Sequence, residues 1–431
     1  MTDAQTPISV EACEPIFARL SDYPRLAIAV SGGPDSLALL SLLHRWKDAQ
    51  AHGPEITALT VDHGLRAESA DEAALVARIA GKMGIPHTTL RWDAGAAGTS
   101  GIQARARQAR YDLMAAYCHE NDIPALLTAH HLDDQAETFL MRLARGSGLD
   151  GLAAIPERGD WAGIALYRPL LDVPKAQLIA TVESAGIPYA KDPSNTDSRF
   201  ERARLRKEQA AWQALGLTPE ALALAAKRLS RARAALDAAT EDFLAEAAQV
   251  SRAGSAAVDT VALMAAPDEI AIRALQRLIA MTGGRDEPVR LAKLEVLLEE
   301  LRADPGVPWT LGGCRLIPEN GRLQIVRELR RDGIADLTLQ PGERALWDNR
   351  FLVSLTETAA TPVTVRALGD VQARTLAETT PWLAEISPLA RASLPSCWRN
   401  QALLSVSCQG LEPEVSCREA QFSARFVHAS A

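Results

Sequence analysis

Several things are missing from this chain of 431 residues. Its six cysteines, Cys13, Cys118, Cys314, Cys397, Cys408 and Cys417, form no C-x-x-C pair. That argues against a zinc or iron–sulfur site and for reduced thiols in a cytoplasm. No apolar run reaches membrane-spanning length. The first residues, MTDAQTPISVEACEP, have neither a basic n-region nor an apolar h-region, so no secretory leader is expected. Positive charge is not in surplus either. The 46 lysines and arginines against 54 aspartates and glutamates leave a net charge of −8, which does not advertise a nucleic-acid binder. What remains is a globular composition, 47% hydrophobic and 23% charged, in a chain long enough for two or three domains.

From Arg25 to about Ile187, short β-branched runs alternate with helical stretches. The runs are "LAIAV" (Leu26 to Val30), "ITALTV" (Ile56 to Val61), "HTTLRW" (His87 to Trp92) and "ALLTAHH" (Ala125 to His131). Between them lie Leu37–Gln50, Ala70–Gly84 and Ile102–Asn121, each long enough for a crossover helix. This alternation predicts an α/β fold with a doubly wound parallel sheet, and such sheets bind ligands at the carboxyl ends of their strands. After Thr218 and Pro219, a good helix start, an alanine-rich helix should run to about Gln249, with Leu222, Leu229, Leu236 and Phe243 forming one buried seam. Two further helices (Asp268–Met281 and Pro288–Leu301) and a hairpin turning on Asn320-Gly321 complete a helical middle domain. Beyond it, short strands predict a small α+β domain. The expected boundaries are 1–215, 216–332 and 333–431.

The polar motifs fall at the strand ends. "SGGPDS" (Ser31, Gly32, Gly33, Pro34, Asp35, Ser36) joins the first strand to a helix. Glycines let the backbone approach a ligand, and the first helical N–H groups favour an anion. The loop lacks the lysine of GxxxxGK[ST]. Asp35 stands near that position instead, and a carboxylate beside a polyphosphate implies a cation such as Mg²⁺. Asp62, His63 and Arg66 end the second strand. "ARARQARYD" sets Arg105, Arg107, Arg110 and Tyr111 on the next helix. In "AHHLDDQAET", His130 and His131 close the fourth strand; Asp134 and Glu137, three apart, share a helix face able to hold a metal or an ammonium group. His130 suits a general acid/base or a phosphate ligand. The densest positive cluster is Arg199, Arg202, Arg204, Arg206 and Lys207, with Lys227, Arg228, Arg231 and Arg233 beyond. A solvated helix face is the competing reading of such a run.

The set "SGGPDS", "VDHGLR", "ARARQARY", "AHHLDDQAET", "RGSGLDGL", "RPLL" and "KDPSN" resembles the tRNA(Ile)-lysidine synthetase family of the PP-loop (N-type) ATP pyrophosphatases, from Ser31 to about residue 210. Lys191 departs from it, standing where the family more often has an acidic residue. The resemblance implies a cytoplasmic ligase acting on a CAU-anticodon tRNA(Ile). Carbon 2 of the wobble cytidine is adenylated by ATP, and the ε-amine of free L-lysine then displaces AMP. It implies that Ser31 to Ser36, with Asp62 and His63, bind ATP, and that Asp35 helps hold Mg²⁺. Arg110, Asp134 and Glu137 match positions that recognise lysine or catalyse its attack, with His130 near the α-phosphate. Arg202, Arg204, Arg206, Lys227, Arg228 and Arg231 are the expected tRNA contacts, and a homodimer is left open. The alternative is another AMP-forming PP-loop enzyme of thiolase type, which would carry C-x-x-C pairs. A non-catalytic nucleotide sensor should have lost Asp35 or the acidic pair, and all three are present.

Overall fold

In this computed structural model, which describes residues 6–62, 64, 68–92, 102–190, 201–329, 333–411 and 421–428, the sequence patterns resolve into two units, Met1–Arg233 and Ala234–Ala431. His63, Arg66, Lys191 and Arg199 lie outside the described residues.

The first unit begins with α1 (Cys13–Phe17), β1 (Arg25–Ala29), α2 (Pro34–Asp48), β2 (Glu55–Asp62), α3 (Glu68–Lys82), β3 (His87–Arg91) and α4 (Ile102–Glu120). It continues with β4 (Ala125–Leu127), α5 (Leu132–Leu143), α6 (Leu149–Leu152), β5 (Arg158–Trp161), β6 (Ile164–Tyr167) and α7 (Lys175–Ser184). The sheet order is β3-β2-β1-β4-β6-β5, parallel except at the β5 edge. Period-two burial explains the two layers. Leu26, Ile28, Ala125 and Leu127 turn to one face, under α1, α2, α3 and α7; Ala27 and Leu126 turn to the other, under Tyr111, Met114 and Cys118 of α4. The winding steps outward from β1 to β3, then returns across β1 to β4. That reversal puts the switch point at the carboxyl ends of β1 and β4. Two strands escaped the sequence reading. β5 and β6 are four residues each, and "RGDWAGIALY" is broken by glycines and charges.

Helices α8 (Glu201–Lys207), α9 (Gln209–Ala214) and α10 (Pro219–Ala247) follow. Thr218 starts α10 as expected, its hydroxyl accepting from the Ala221 N–H at 3.2 Å. The single seam is not observed. Leu222 and Leu229 pack with Ala136, Phe139 and Trp212 in the first unit, whereas Phe243 and Leu244 belong to a core of the second. One seven-residue repeat thus serves two cores.

In the second unit, β7 (Ala248–Val250), β8 (Ala256–Asp259), β9 (Trp309–Leu311), β10 (Cys314–Glu319) and β11 (Arg322–Arg327) form an antiparallel sheet of order β7-β8-β11-β10-β9. It carries α11 (Thr260–Ala265), α12 (Asp268–Gly283) and α13 (Leu291–Ala303). The expected hairpin is its centre, and Asn320 and Gly321 both have positive φ (50° and 75°), as a tight β10–β11 turn requires. The helical pair therefore rests on a five-stranded sheet of which only the hairpin was visible in sequence.

The remainder holds β12 (Leu337–Leu339), β13 (Arg344–Trp347), β14 (Phe351–Leu355), β15 (Val363–Ala367), α14 (Asp370–Ala377), α15 (Pro381–Glu385), α16 (Pro388–Arg391), β16 (Pro395–Arg399), β17 (Ala402–Val406) and β18 (Phe422–Phe426). These strands form sheets of four and three. A charged knot sits between β11 and β14. Asp348 accepts from Arg327 at 2.7 and 2.9 Å and from Arg350 at 2.6 Å, and Arg350, fully buried, also donates to the Gly254 and Ser393 carbonyls. Asp348→Asn leaves two guanidinium groups without their counter-charge, a loss of about 3–5 kcal/mol for a buried cluster. Calorimetry should show the second unit melting about 10 °C lower; an unchanged transition would mean the knot contributes no net stability.

Candidate functional site

The glycine loop follows β1 directly. Gly32 has φ +84°, a conformation that disfavours any side chain, and its carbonyl is held by the Ala190 N–H at 2.9 Å. Gly33 is the N-cap of α2, with Pro34 in the first turn. The two serines brace the loop rather than cap the helix. Ser36 Oγ donates to the Gly33 carbonyl at 3.0 Å and accepts from the Ser31 N–H at 3.1 Å. The result is a rigid turn with the positive end of α2 facing the sheet edge.

Asp35 lies in the first turn of α2, and what surrounds it was not legible in the loop itself. Lys175 Nζ, from the start of α7, lies 3.2 Å from its Oδ2, and His131 Nε2 lies 3.5 Å away. Burial would raise the Asp35 carboxyl, but His131 and Lys175 outweigh it and hold the carboxyl below the usual carboxylate range. Oδ1 of Asp35 is buried with no hydrogen-bond partner among the described residues. The missing lysine of the loop is thus supplied from 140 residues away. Its sequence signal was the lysine that closes "RPLLDVPK".

His131 links this cluster to the acidic motif. It is the N-cap of α5, and its N–H donates to Asp134 Oδ2 at 3.2 Å, so Asp134 also caps the helix. Nε2 of the same imidazole lies 3.5 Å from Asp134 and Nδ1 lies 3.7 Å from Asp133. Burial disfavours the imidazolium, but Asp35 and Asp134 override it and raise the His131 pKa. Asp133 accepts from the Lys175 N–H at 2.8 Å, fastening α7 to α5.

The acidic pair is occupied by arginine. Arg206 donates to Glu137 through Nε at 2.5 Å and Nη2 at 3.2 Å, and both Arg206 and Arg202 lie 3.9 Å from Asp134 Oδ1. Glu137 is buried. Arg202 and Arg206, read from sequence as tRNA contacts, therefore turn toward the acidic pair, while Arg204 is exposed. Beside Glu137 a cleft is lined by Asp133, Arg206, Gln209 and Trp212.

His130 hydrogen-bonds Thr128 at 3.0 Å through Nδ1. Burial, with the charges of Arg168, Arg107 and Arg202, pushes it down to about 4 against the pull of Asp134. It is neutral at physiological pH. A conjugate acid this strong makes a poor general base, whereas a neutral N–H can still donate to an oxyanion. Arg110 lies beside Tyr111 and Arg107 on α4; burial and the charge of Arg107 disfavour its cation. Asp62 ends β2, one strand from the loop, but serves its own turn, accepting from the Gly64 N–H at 3.0 Å and from Ser69 Oγ at 2.5 Å. Lys227 pairs with Asp172 at 2.6 Å, and Arg228 and Arg231 are exposed on α10.

A glycine loop at the switch point of a doubly wound sheet, closed by serines and carrying a half-buried carboxylate, defines a PP-loop nucleotide-binding protein, and a family model described as a PP-loop domain matches residues 7–211. A tRNA(Ile)-lysidine synthase of Bradyrhizobium diazoefficiens is 43% identical over 345 residues, covering 75% of this chain and 95% of its own. One from Rhodopseudomonas palustris is 46% identical over 304 residues (70% and 86%), and one from Ruegeria pomeroyi is 38% identical over 400 residues (91% of each). This chain belongs to the tRNA(Ile)-lysidine synthase family.

Lys175→Met removes the only lysine ammonium paired with Asp35 among the described residues. Only His131 then remains to offset the Asp35 charge among the described residues, so ATP affinity measured by titration calorimetry should fall about tenfold or more. An unchanged affinity would restrict Lys175 to joining α5 and α7.

Proposed function

We infer that this chain ligates free L-lysine to carbon 2 of the wobble cytidine of a CAU-anticodon tRNA(Ile), converting ATP to AMP and pyrophosphate. The observation that carries the reading is a continuous polar path. Asp35 beside the loop, His131, Asp134 and the Arg206–Glu137 pair succeed one another within 3.9 Å. A group that holds phosphates and a group suited to an ammonium thereby share one site.

In the first step the cytidine O2 attacks the α-phosphorus and pyrophosphate leaves; backbone N–H groups of the Ser31–Ser36 loop stabilise that leaving group. In the second, the lysine ε-nitrogen attacks carbon 2 and AMP departs with the oxygen. The attacking amine must lose a proton. On this reading Asp134 and Glu137 orient the ammonium and accept the proton. The cleft beside Glu137 is lined by charges of both signs, Asp133, Glu137 and Arg206, as recognition of a zwitterion requires.

Mg²⁺ fits the site through Asp35, whose Oδ1 is a hard ligand with no hydrogen-bond partner among the described residues. Among the described residues no group of three or more His, Cys, Asp or Glu side chains forms a ready metal cage. That suits an ion which keeps water and phosphate oxygens as most of its ligands. When bound, it neutralises charge on the phosphates. The thiolase alternative finds no support in the thiols. Cys13, Cys118, Cys314, Cys397 and Cys408 are all buried, and burial pushes Cys118 up to about 11 and Cys314 to about 12, far from the thiolate that sulfur transfer needs.

Radiolabelled lysine, ATP and transcript tRNA should give labelled tRNA with AMP and pyrophosphate; ADP as product would overturn the reading. Glu137→Gln, and Asp134→Asn, which keeps the α5 cap, should raise KM for lysine or cut kcat at least about tenfold while ATP binding persists. Loss of ATP affinity instead would assign the pair to the metal.

The division 1–215, 216–332 and 333–431 is kept as a functional proposal, with tRNA contacts on the basic face of α10. Each phosphate contact contributes about one unit to the salt dependence of binding. Replacing Lys227, Arg228 and Arg231 by alanine should flatten the slope by about three and weaken tRNA binding at physiological salt. An unchanged slope would place the RNA elsewhere.

A further inference from the structure

Arg168, the residue immediately after β6, takes no part in the polar path yet is nine-tenths buried. Its Nη1 donates to the Pro156 carbonyl at 2.8 Å. Its Nε has no hydrogen-bond partner among the described residues. Among the described residues the groups acting on its charge, after burial itself, are the Tyr111 phenol, which also hydrogen-bonds it, and the Arg107 guanidinium; none is a carboxylate. An enclosed guanidinium beside another guanidinium, with its Nε–H still unmet, is costly unless something supplies the missing acceptor.

Its place in the sheet says what that acceptor is. The Thr128 N–H donates to the Tyr167 carbonyl at 2.9 Å, setting the carboxyl ends of β4 and β6 side by side. His130 follows on one and Arg168 on the other, and Arg168, Arg107 and Arg202 all act on His130. Arg107 stands 5.3 Å over the Tyr111 ring, and Arg110 is its neighbour on α4. Several arginines and a neutral imidazole thus converge at the ligand edge of the sheet. The spot is two strands from β1, roughly 10 Å from the glycine loop at ordinary strand spacing, too far for the phosphates that loop cradles.

We propose that Arg168, with Arg107 and Arg110 at its rim and His130 beside it, is a binding site for a phosphodiester of the RNA substrate, next to the reacting nucleotide. The proposal rests on the ligase reading for its RNA. The planar guanidinium fork matches a phosphate's paired oxygens, and a lysine there keeps the charge but loses the fork.

The test compares wild type, Arg168→Lys and Arg168→Gln by filter binding of transcript tRNA across a salt series, with ATP affinity and the melting temperature of the free proteins measured in parallel. Both variants should bind tRNA about tenfold more weakly or worse. Arg168→Gln should also flatten the salt slope by about one, while ATP affinity is retained and Arg168→Lys melts as wild type. Unchanged tRNA affinity in both variants overturns the proposal, as does a loss confined to ATP, which would make the ligand the nucleotide. A wild-type protein that binds the transcript but incorporates no lysine would overturn the ligase reading and leave this comparison intact.

Discussion

A carboxylate in the first turn of a helix suits the dipole, but it opposes any anion brought to the same N–H groups. Asp35 creates that conflict at the centre of the first unit, and much of the surrounding structure answers it. Lys175 reaches Asp35 from α7, and His131 reaches it from the start of α5. Those two contacts fix where α5 and α7 begin relative to the loop, and Asp133 locks the arrangement by holding the Lys175 backbone. The charge problem and the packing problem therefore have one solution. Removing either cation loosens a helix as well as a ligand site.

The same neutralisation continues outward with alternating sign. Asp35 is followed by His131, then Asp134, then Arg206, then Glu137. Alternation lets several ionised groups sit half-buried because each is screened by its neighbours. It also means that a cationic substrate entering near Asp134 meets a guanidinium already in place. His130 stands aside from the chain; burial, with the arginines beside it, lowers its pKa against the pull of Asp134, whereas Asp35 and Asp134 raise that of His131.

The order of strands and helices around the loop was legible in sequence because period-two and period-3.6 patterns are local. Leu26, Ile28, Leu126 and Leu127 announce their strands, and Gly32 and Gly33 announce the turn. The motif residues Asp35, Asp134 and Glu137 were legible as chemistry. Their partners were not. Lys175 and Arg206 are separated from Asp35 and Glu137 by 140 and 69 residues, and no local pattern encodes a pairing at that range. The basic run Arg202–Lys207 shows the limit most clearly. Charge density suggested a face for RNA, while the fold gives two of its arginines to the acidic pair. In the second unit the hairpin at Asn320-Gly321 was visible, but its neighbours β7, β8 and β9 are three or four residues long and carry no pattern of their own.

The second unit treats buried charge differently, and the contrast clarifies the first. Asp348 accepts from Arg327 and Arg350, and Arg350 meets two further carbonyls as well. That knot holds elements together and offers nothing to a ligand. In the first unit, by contrast, Asp35 keeps Oδ1 and Arg168 keeps Nε unmet among the described residues. Neighbouring groups hold both side chains in place, so each unmet atom stays positioned for what arrives. Buried polar groups left unsatisfied weaken a fold. Among the described residues, those of Asp35, His131 and Arg168 lie at or just beyond the carboxyl edge of the first unit's sheet, while those of Thr282, Trp309 and Arg322 lie in the second unit outside the Asp348 knot.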